Sequence, residues 1–262
     1  MIDPFATHAR RLMIFGHPGH ELALFGLLQR YRPLIVIITD GGGEERVEES
    51  RAGLSSIALA ESAVFLRFRE AAFYEALLDN DIDFFWEVSE ALHTEIARAQ
   101  AEQIFCDAIE FYNPVHDMTL PLVLRAGEGL AKPRVFEVPL VYQMRSTVEA
   151  YQIQRVPDEL KEYCLDYELN PEELRLEVLA RDFIYRNLRG QVGPEFLSVT
   201  QEHLAREEIA VAGDPFKTPQ NSGKAIRYEW RAQELQKKGI IKRVITYADH
   251  WLPITRALMD GF

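Results

Sequence analysis

The sequence predicts an α/β fold in which a doubly wound, mostly parallel sheet is followed by a mostly helical C-terminal appendage. Short, continuous apolar segments alternate with amphipathic ones through the first half of the 262-residue chain. Charged helical patterns dominate from about residue 147. Continuous apolar strands separated by helices are typical of a parallel sheet that is covered on both faces.

Five apolar segments are predicted to be strands. In chain order they are residues 11–16, 33–43 (ending in a glycine-rich loop), 63–68, 102–114 (ending in a turn) and 133–143. Helical patterns follow the first and second of these strands, and further ones cover 83–100 and 118–130. This alternation predicts that the carboxyl ends of the strands share one edge of the sheet.

The change of pattern near residue 147 predicts two domains. Residues 1–146 would form the sheet domain, which carries the candidate site, and residues 147–262 a mostly helical extension packed on it. The clearest helix of the extension begins after Asn170, with Pro171 at its first position. Asparagine at the N-cap and proline at the first helical position are both favoured.

The composition excludes several classes of protein. With 41 acidic against 29 basic residues the formal charge is −12, which argues against nucleic acid as a partner. No stretch approaches the roughly 20 apolar residues of a membrane span, and the first residues do not read as a signal peptide. Two cysteines make no disulfide framework. We therefore expect a cytoplasmic protein with a small-molecule or glycan-like substrate, and a homo-oligomer is compatible with these properties.

Three histidines stand in loops that should converge. His17 and His20 follow the first predicted strand in the segment IFGHPGHE, and His116 follows the fourth. In open α/β sheets, ligands bind beyond the carboxyl ends of the strands. Pro18 predicts a helix start that places His17 near the N-cap and His20 at the third helical residue. The positive end of that helix would favour the neutral imidazole, which is the form that binds metal.

This arrangement has two interpretations. Three histidine nitrogens with one open position make a catalytic zinc site, which lowers the pKa of bound water to about 7. The alternative is a helix-capping turn with two surface histidines and His116 elsewhere. The His-x-x-His spacing alone favours that alternative, whereas the strand context and the third histidine balance the two.

The motifs resemble those of the PIG-L-like (LmbE-like) N-deacetylases. A first strand ending in HPGHE, a second ending in TDG and a histidine after the fourth strand carry the resemblance, which covers roughly residues 10–143. It implies a Rossmann-like, zinc-dependent enzyme that removes acetyl or related acyl groups from amino sugars and glycoconjugates.

The first motif departs from the family pattern His-Pro-Asp-Asp-Glu. The resemblance implies that His17 keeps the first zinc ligand and that His20 replaces the ligand aspartate. Glu21 is retained, but Gly19 stands where the family carries its general base. Histidine in place of aspartate makes the site more positive, and glycine removes the usual proton acceptor.

The second motif, His-x-Asp-His in the family, is Asn-Pro-Val-His here. His116 is kept as the implied third ligand, while Asn113 and Val115 replace a polarising histidine and an aspartate. Amide hydrolysis still needs a group that takes the proton of water and returns it to the leaving amine. The candidates in the converging loops are Glu21, Asp40, Glu110 and Asp117.

Each candidate also has a structural interpretation. Glu21 is favoured in a first helical turn by the helix dipole alone. Asp117 is compatible with a capping role, Glu110 with a structural one, and Asp40 with capping of its loop. Asn113 could donate to a developing oxyanion, as amide side chains do.

The sequence therefore predicts a zinc-dependent hydrolase of the PIG-L/LmbE type, which removes an N-acyl (acetyl) group from an amino sugar or a glycoconjugate-like substrate. Two alternatives stay open. One is a diverged, metal-binding member without ordinary deacetylase activity. The other is an α/β domain that binds a small molecule without metal.

Overall fold

The structure, a computed structural model, describes residues 8–143, 151–186, 188, 199–216 and 226–260. Its strands are β1 (Arg11–Phe15), β2 (Leu34–Thr39), β3 (Ala63–Phe68), β4 (Gln103–Asp107), β5 (Arg134–Val138), β6 (Val141–Gln143), β7 (Tyr151–Ile153), β8 (Cys164–Glu168) and β9 (Arg206–Val211). Within these ranges, seven strands form the central sheet in the order β3-β2-β1-β4-β5-β9-β8, and β6 and β7 form a separate antiparallel pair.

The first five strands are all parallel, as the sequence predicts. The sheet then continues into the C-terminal half of the chain, because β9 pairs antiparallel with β5 and β8 pairs antiparallel with β9. The strand order reverses at β1, which has β2 on one side and β4 on the other. This reversal creates the crevice in which such sheets bind ligands.

The α-helices lie between and after the strands. They are α1 (Phe25–Tyr31), α2 (Glu44–Ser56), α3 (Glu70–Asp79), α4 (Ile82–Ala99), α5 (Pro114–Ala126), α6 (Pro171–Leu179), α7 (Gln201–Leu204), α8 (Arg227–Lys237) and α9 (Leu252–Met259). Short 3₁₀ segments cover His20–Leu24, Ala60–Ser62 and Asp158–Tyr163, and π-helical turns cover Ala180–Ile184 and Tyr247–Trp251.

The core has two layers, one on each face of the sheet. Along β1 the side chains alternate, so that Leu12 and Ile14 pack with α3, α4, α5 and α9, while Met13 and Phe15 pack with α1 and α2. Alternation with period two is what a strand dictates when both of its faces are covered. The doubly wound α/β class, with helices in the C-terminal part, is confirmed.

The structure adds two features to the prediction. Helix α3 occupies a segment to which the sequence assigned no element. The described residues after 147 supply three strands, β7, β8 and β9, as well as helices. The division into residues 1–146 and 147–262 stays a prediction, and its boundary lies outside the described residues. Among the described helices, none combines the length and the apolar character needed to cross a lipid bilayer.

Candidate metal site

The candidate site lies beyond the carboxyl ends of β1 and β4, on either side of the point where the strand order reverses. A cavity of about 400 Å³ opens there. Most of its polar lining comes from the segments that follow the first four strands, and includes His17, His20, Arg46, Glu70, Asn113 and His116. Gln154, which follows β7, also lines it. The loops that the sequence predicts to converge therefore do so.

The three imidazoles pack against one another. The ring centroids are 5.0 Å apart for His17 and His20, 5.2 Å for His17 and His116, and 4.4 Å for His20 and His116. One nitrogen from each ring lies within 4.8 Å of the other two. Zinc–nitrogen bonds of about 2.0–2.1 Å place the ligand nitrogens of a tetrahedral site about 3.4 Å apart, which small side-chain rotations would reach.

The turn that carries His17 and His20 differs from the predicted one. The helix does not start at Pro18: Gly19 takes a φ of 99° and precedes a 3₁₀ segment that begins at His20. The left-handed region is open to glycine at little cost, and the Gly19 N–H donates to the Glu21 carboxylate at 2.7 Å. The expected N-cap position of His17 was wrong, because the glycine turn delays the helix until His20.

His116 lies in the first turn of α5. The helix starts at Pro114, earlier than predicted, because the Asn113 side chain accepts from Val115 N at 2.8 Å and caps it. His116 is buried, and within the described part of the chain its Nδ1 has no hydrogen-bond partner. A buried orphan nitrogen beside two further imidazoles fits a metal ligand.

Burial keeps two of these imidazoles neutral. It lowers the pKa of His20 and of His116 well below the usual value, and the neighbouring histidines and Arg46 lower both further. Neutral imidazole is the ligand form. The donor set therefore suits a divalent metal ion without prior loss of a proton at these two rings.

The Asp107 carboxylate contacts the His20 imidazole. Its Oδ2 accepts from Gly16 N at 2.7 Å and lies 2.8 Å from His20 Nδ1. Burial raises the pKa of Asp107 to about 7, although the Gly16 hydrogen bond and the charge of His17 oppose the rise. A carboxylate on one nitrogen of a histidine orients the other nitrogen toward a metal, which here is Nε2.

The structure also brings in a carboxylate that the sequence analysis missed. Glu70, the first residue of α3, has its Oε1 3.0 Å from His17 Nε2, and Tyr74 OH donates to the same oxygen at 2.6 Å. Burial acts to raise the pKa of Glu70, but His17, Tyr74 and Arg46 outweigh it and lower the pKa to about 2. Glu70 is therefore ionised at neutral pH. Its position just after β3 is the signal that could have found it.

The described residues that line the cavity include none of the four predicted catalytic carboxylates, Glu21, Asp40, Glu110 and Asp117. Glu21 is fully buried under the loop and accepts hydrogen bonds from Gly19 N and from the Ser50 and Tyr185 hydroxyls. Asp117 is also fully buried and accepts from Glu110 N at 2.8 Å. Both carboxylates hold backbone in place.

Asp40 and Asn113 lie closer to the site. Asp40 Oδ1 accepts from Gly42 N and from Glu70 N, each at 3.0 Å, and so ties the loop after β2 to the start of α3. Asn113 lines the cavity, and its Nδ2 lies 3.3 Å from Tyr74 OH, to which it donates. Both residues support the Glu70 side of the site.

No protein-family model matches the chain, and a search of curated proteins finds no significant match. Solved structures do resemble it. The A40926 pseudoaglycone deacetylase Dbv21 aligns with a TM-score of 0.57 and 14% identity, over 79% of this chain and 99% of that chain.

Two further structures align at a similar level. The zinc-inhibited form of the teicoplanin deacetylase Orf2 gives a TM-score of 0.52 and 13% identity, over 78% of this chain and 99% of that chain. The conserved protein TT1542 from Thermus thermophilus gives 0.50 and 17%, over 80% and 99%. At these identities the likeness establishes a fold shared with structures of deacetylases.

Proposed function

We propose that the chain is a zinc-dependent hydrolase of the PIG-L/LmbE type, which removes an N-acyl group such as acetyl from an amino sugar or a glycoconjugate-like substrate. The observation that carries this proposal is the convergence of His17, His20 and His116 beside the Glu70 carboxylate in one cavity. The fold shared with two deacetylases supports the reaction class. One of these is described as zinc-inhibited, so the choice of metal is a matter for experiment.

Glu70 is the proton carrier in this proposal. A bound divalent ion would supply a Lewis acid for the acyl carbonyl and would acidify water. Among the described residues, the hydrogen bonds to the Glu70 carboxylate fall on Oε1. Oε2 is therefore the oxygen that takes the proton of the attacking water and passes it to the leaving amine nitrogen. Because a carboxylate with a pKa of about 2 is a weak base, this step depends on the acidity that a bound metal ion would give the water.

The surrounding side chains hold this carboxylate. Tyr74 donates to Oε1, Asn113 donates to Tyr74, and Asp40 accepts from the backbone N–H of Glu70. On the other side of the site, Asp107 orients His20. In this proposal Asn113 acts on the base through Tyr74, in place of the oxyanion role expected from the sequence.

The shape of the cavity suits an acylated amine. Glu70 and Arg46 contribute polar groups to its lining, and Leu140, Val141 and Leu188 contribute apolar side chains. Such pockets combine a mostly apolar lining with a few polar groups that set orientation. An acyl group would lie on the apolar side chains, with the hydroxyl-rich part of the substrate on the polar groups.

One observation favours the second candidate, a metal-binding protein without ordinary deacetylase activity. A Cβ at position 19 would lie 2.9 Å from Leu188 Cδ2, and Gly19 has a φ of 99°. The place of the family's general base is thus closed to a side chain. If Glu70 does not replace that base, the metal site remains and hydrolysis is lost.

The metal site is tested first by metal analysis of untagged protein. We expect one equivalent of zinc in the wild type and in the control His93→Ala, whose imidazole contacts the Ala126 carbonyl instead. We expect loss of the metal in His116→Ala. Metal content that His116→Ala leaves unchanged would contradict the proposed site.

The reaction is then tested by amine release from a panel of N-acetylated amino sugars, with zinc, manganese or nickel added. Measured at zinc concentrations that saturate the variant, Glu70→Gln should lower kcat by about 100-fold or more, because general acid–base catalysis contributes about 10²–10⁴-fold. Glu75→Gln, on the exposed side of the same helix, is the matched control. Zinc binding without amine release from any substrate would favour the second candidate.

A further inference from the structure

A tyrosine from the C-terminal half of the chain contacts the loop of residues 16–21, which carries His17 and His20 and is the metal-binding loop of the proposed function. Tyr185 follows the π-helical turn Ala180–Ile184 and is 1% exposed. Its hydroxyl donates to Glu21 Oε1 at 2.7 Å, across 164 residues of sequence. Neither residue lines the cavity.

Glu21 passes this contact on to the loop. Its Oε2 accepts from Gly19 N at 2.7 Å, and Gly19 separates the two candidate ligands His17 and His20. Two hydrogen bonds thus connect the Tyr185 hydroxyl with the backbone between the ligands. The Ser50 hydroxyl also donates to Oε1. Since Glu21 is fully buried, no water replaces the Tyr185 hydroxyl when that donor is removed.

The absence of a side chain at Gly53 leaves room for Tyr185. Gly53 lies in α2 where a Cβ would fall 2.1 Å from the Tyr185 hydroxyl oxygen. Leu188, from the same segment, fills the space beside Gly19 and lines the cavity. The segment that carries Tyr185 therefore meets the metal-binding loop at both a polar and an apolar contact.

We propose that Tyr185 is a positioning residue for the metal-binding loop, which acts through Glu21 on the Gly19 backbone and so holds His17 and His20 in place as ligands. The inference rests on the proposed function, which assigns a metal ion to His17, His20 and His116. The hydroxyl is the active group, since the ring alone fills space without fixing the Glu21 carboxylate.

The test is the affinity of the metal-free, full-length protein for zinc, measured by competition with a chelating indicator. Tyr185→Phe should weaken zinc binding by about tenfold, the lower end of the effect of changing groups that support metal ligands. The matched control is Tyr167→Phe, which removes another tyrosine hydroxyl that donates to a carboxylate, that of Glu173 at 2.9 Å. This control should leave the affinity unchanged.

A second variant reaches the same contact by another route. Gly53→Ala places a methyl group against the Tyr185 ring and should also weaken zinc binding, although alanine by itself favours the helix. If Tyr185→Phe fails to fold, Gly53→Ala decides the question.

The outcomes separate the two proposals. A wild type that binds no zinc, or binding that His116→Ala does not reduce, overturns both the proposed function and this inference. If the wild type binds zinc and His116→Ala does not, but both tyrosine variants bind zinc as tightly as the wild type, the inference alone is overturned. Equal weakening in both tyrosine variants also overturns it, because the effect would then be a general loosening of the fold.

Discussion

At the scale of single residues, Asp107 is the side chain whose contacts most clearly position another residue, His20. It ends β4, is fully buried and contacts both Gly16 N and His20 Nδ1 through one oxygen. A buried carboxylate costs free energy unless its partners offset the loss of water. The cost at Asp107 is consistent with a function in orienting His20.

Replacing Asp107 with asparagine should weaken zinc binding by about 10–100-fold, because the neutral amide orients and polarises His20 less strongly. Chelator competition on the metal-free protein measures the change. Asp83→Asn, at an exposed position in the first turn of α4, is the control. An affinity equal to that of the control would show that Asp107 stabilises the end of β4 and does not support metal binding.

At the scale of elements, the start of α5 determines where His116 lies. The cap formed by Asn113 Oδ1 and the Pro114 ring begin the helix two residues before the histidine. The sequence predicts a turn at these residues and a helix from residue 118, because the apolar pattern becomes clear only there. The cap was visible in the sequence as asparagine before proline, the same signal that correctly predicted the start of α6 at Asn170.

Two substitutions at Asn113 separate its roles. Asn113→Ala removes the cap and should lower the free energy of unfolding by about 0.5–2 kcal/mol, and it should weaken zinc binding through His116. Asn113→Asp keeps the cap and should keep both properties. Denaturant unfolding and chelator competition measure them, with Asn170→Ala as the control that loses a cap far from the site.

An oxyanion role for Asn113 would give a different result. Because Asn113→Asp also removes the Nδ2 donor to Tyr74, the two roles are compared in the Tyr74→Phe background. There Asn113→Asp should have no further effect on kcat if Asn113 acts through Tyr74, and should lower kcat further if it contacts the oxyanion. A further decrease would return Asn113 to the role that the sequence analysis gave it.

The parallel strands could be predicted because each is a short apolar run. Strands β1, β2 and β4 are almost fully buried, whereas β3 at the edge of the sheet is only partly buried. Strands β8 and β9 escaped prediction because charged residues such as Asp166 and Glu207 interrupt them, and because antiparallel pairing with β5 is a long-range contact that no local pattern records. The histidine cluster followed from strand order alone. Glu70 was missed because β3 was left out of the converging loops, although it follows the same rule.

At the scale of the whole molecule, buried carboxyl groups make stability depend on pH. Glu110 accepts from Leu140 N and Val141 N, and burial raises its pKa from 4.5 to about 8 against the opposing effect of these two hydrogen bonds. The folded protein therefore holds this proton more tightly than the unfolded chain. The free energy of unfolding should be highest below about pH 4.5 as far as this group contributes, and it should fall as the pH rises toward 8.

Glu110→Gln should remove this part of the pH dependence. A single proton contributes a slope of up to about 1.4 kcal/mol per pH unit, so the wild-type curve should fall more steeply than that of the variant between pH 5 and 8. At pH 5 the variant should be less stable, since one amide oxygen faces two N–H donors. Denaturant unfolding of the metal-free protein measures both effects, and parallel curves would show that Glu110 titrates normally.

The contacts around the loop that carries His17 and His20 join residues far apart in the chain, and this has a consequence for biosynthesis. The bond from Gly16 N to Asp107 joins residues 91 apart, and the bond from Tyr185 to Glu21 joins residues 164 apart. Domains emerge from the ribosome with the N-terminus first, so His17 and His20 leave the exit tunnel long before the residues that hold them. The surroundings of these two histidines are therefore complete only after residue 185 has left the ribosome.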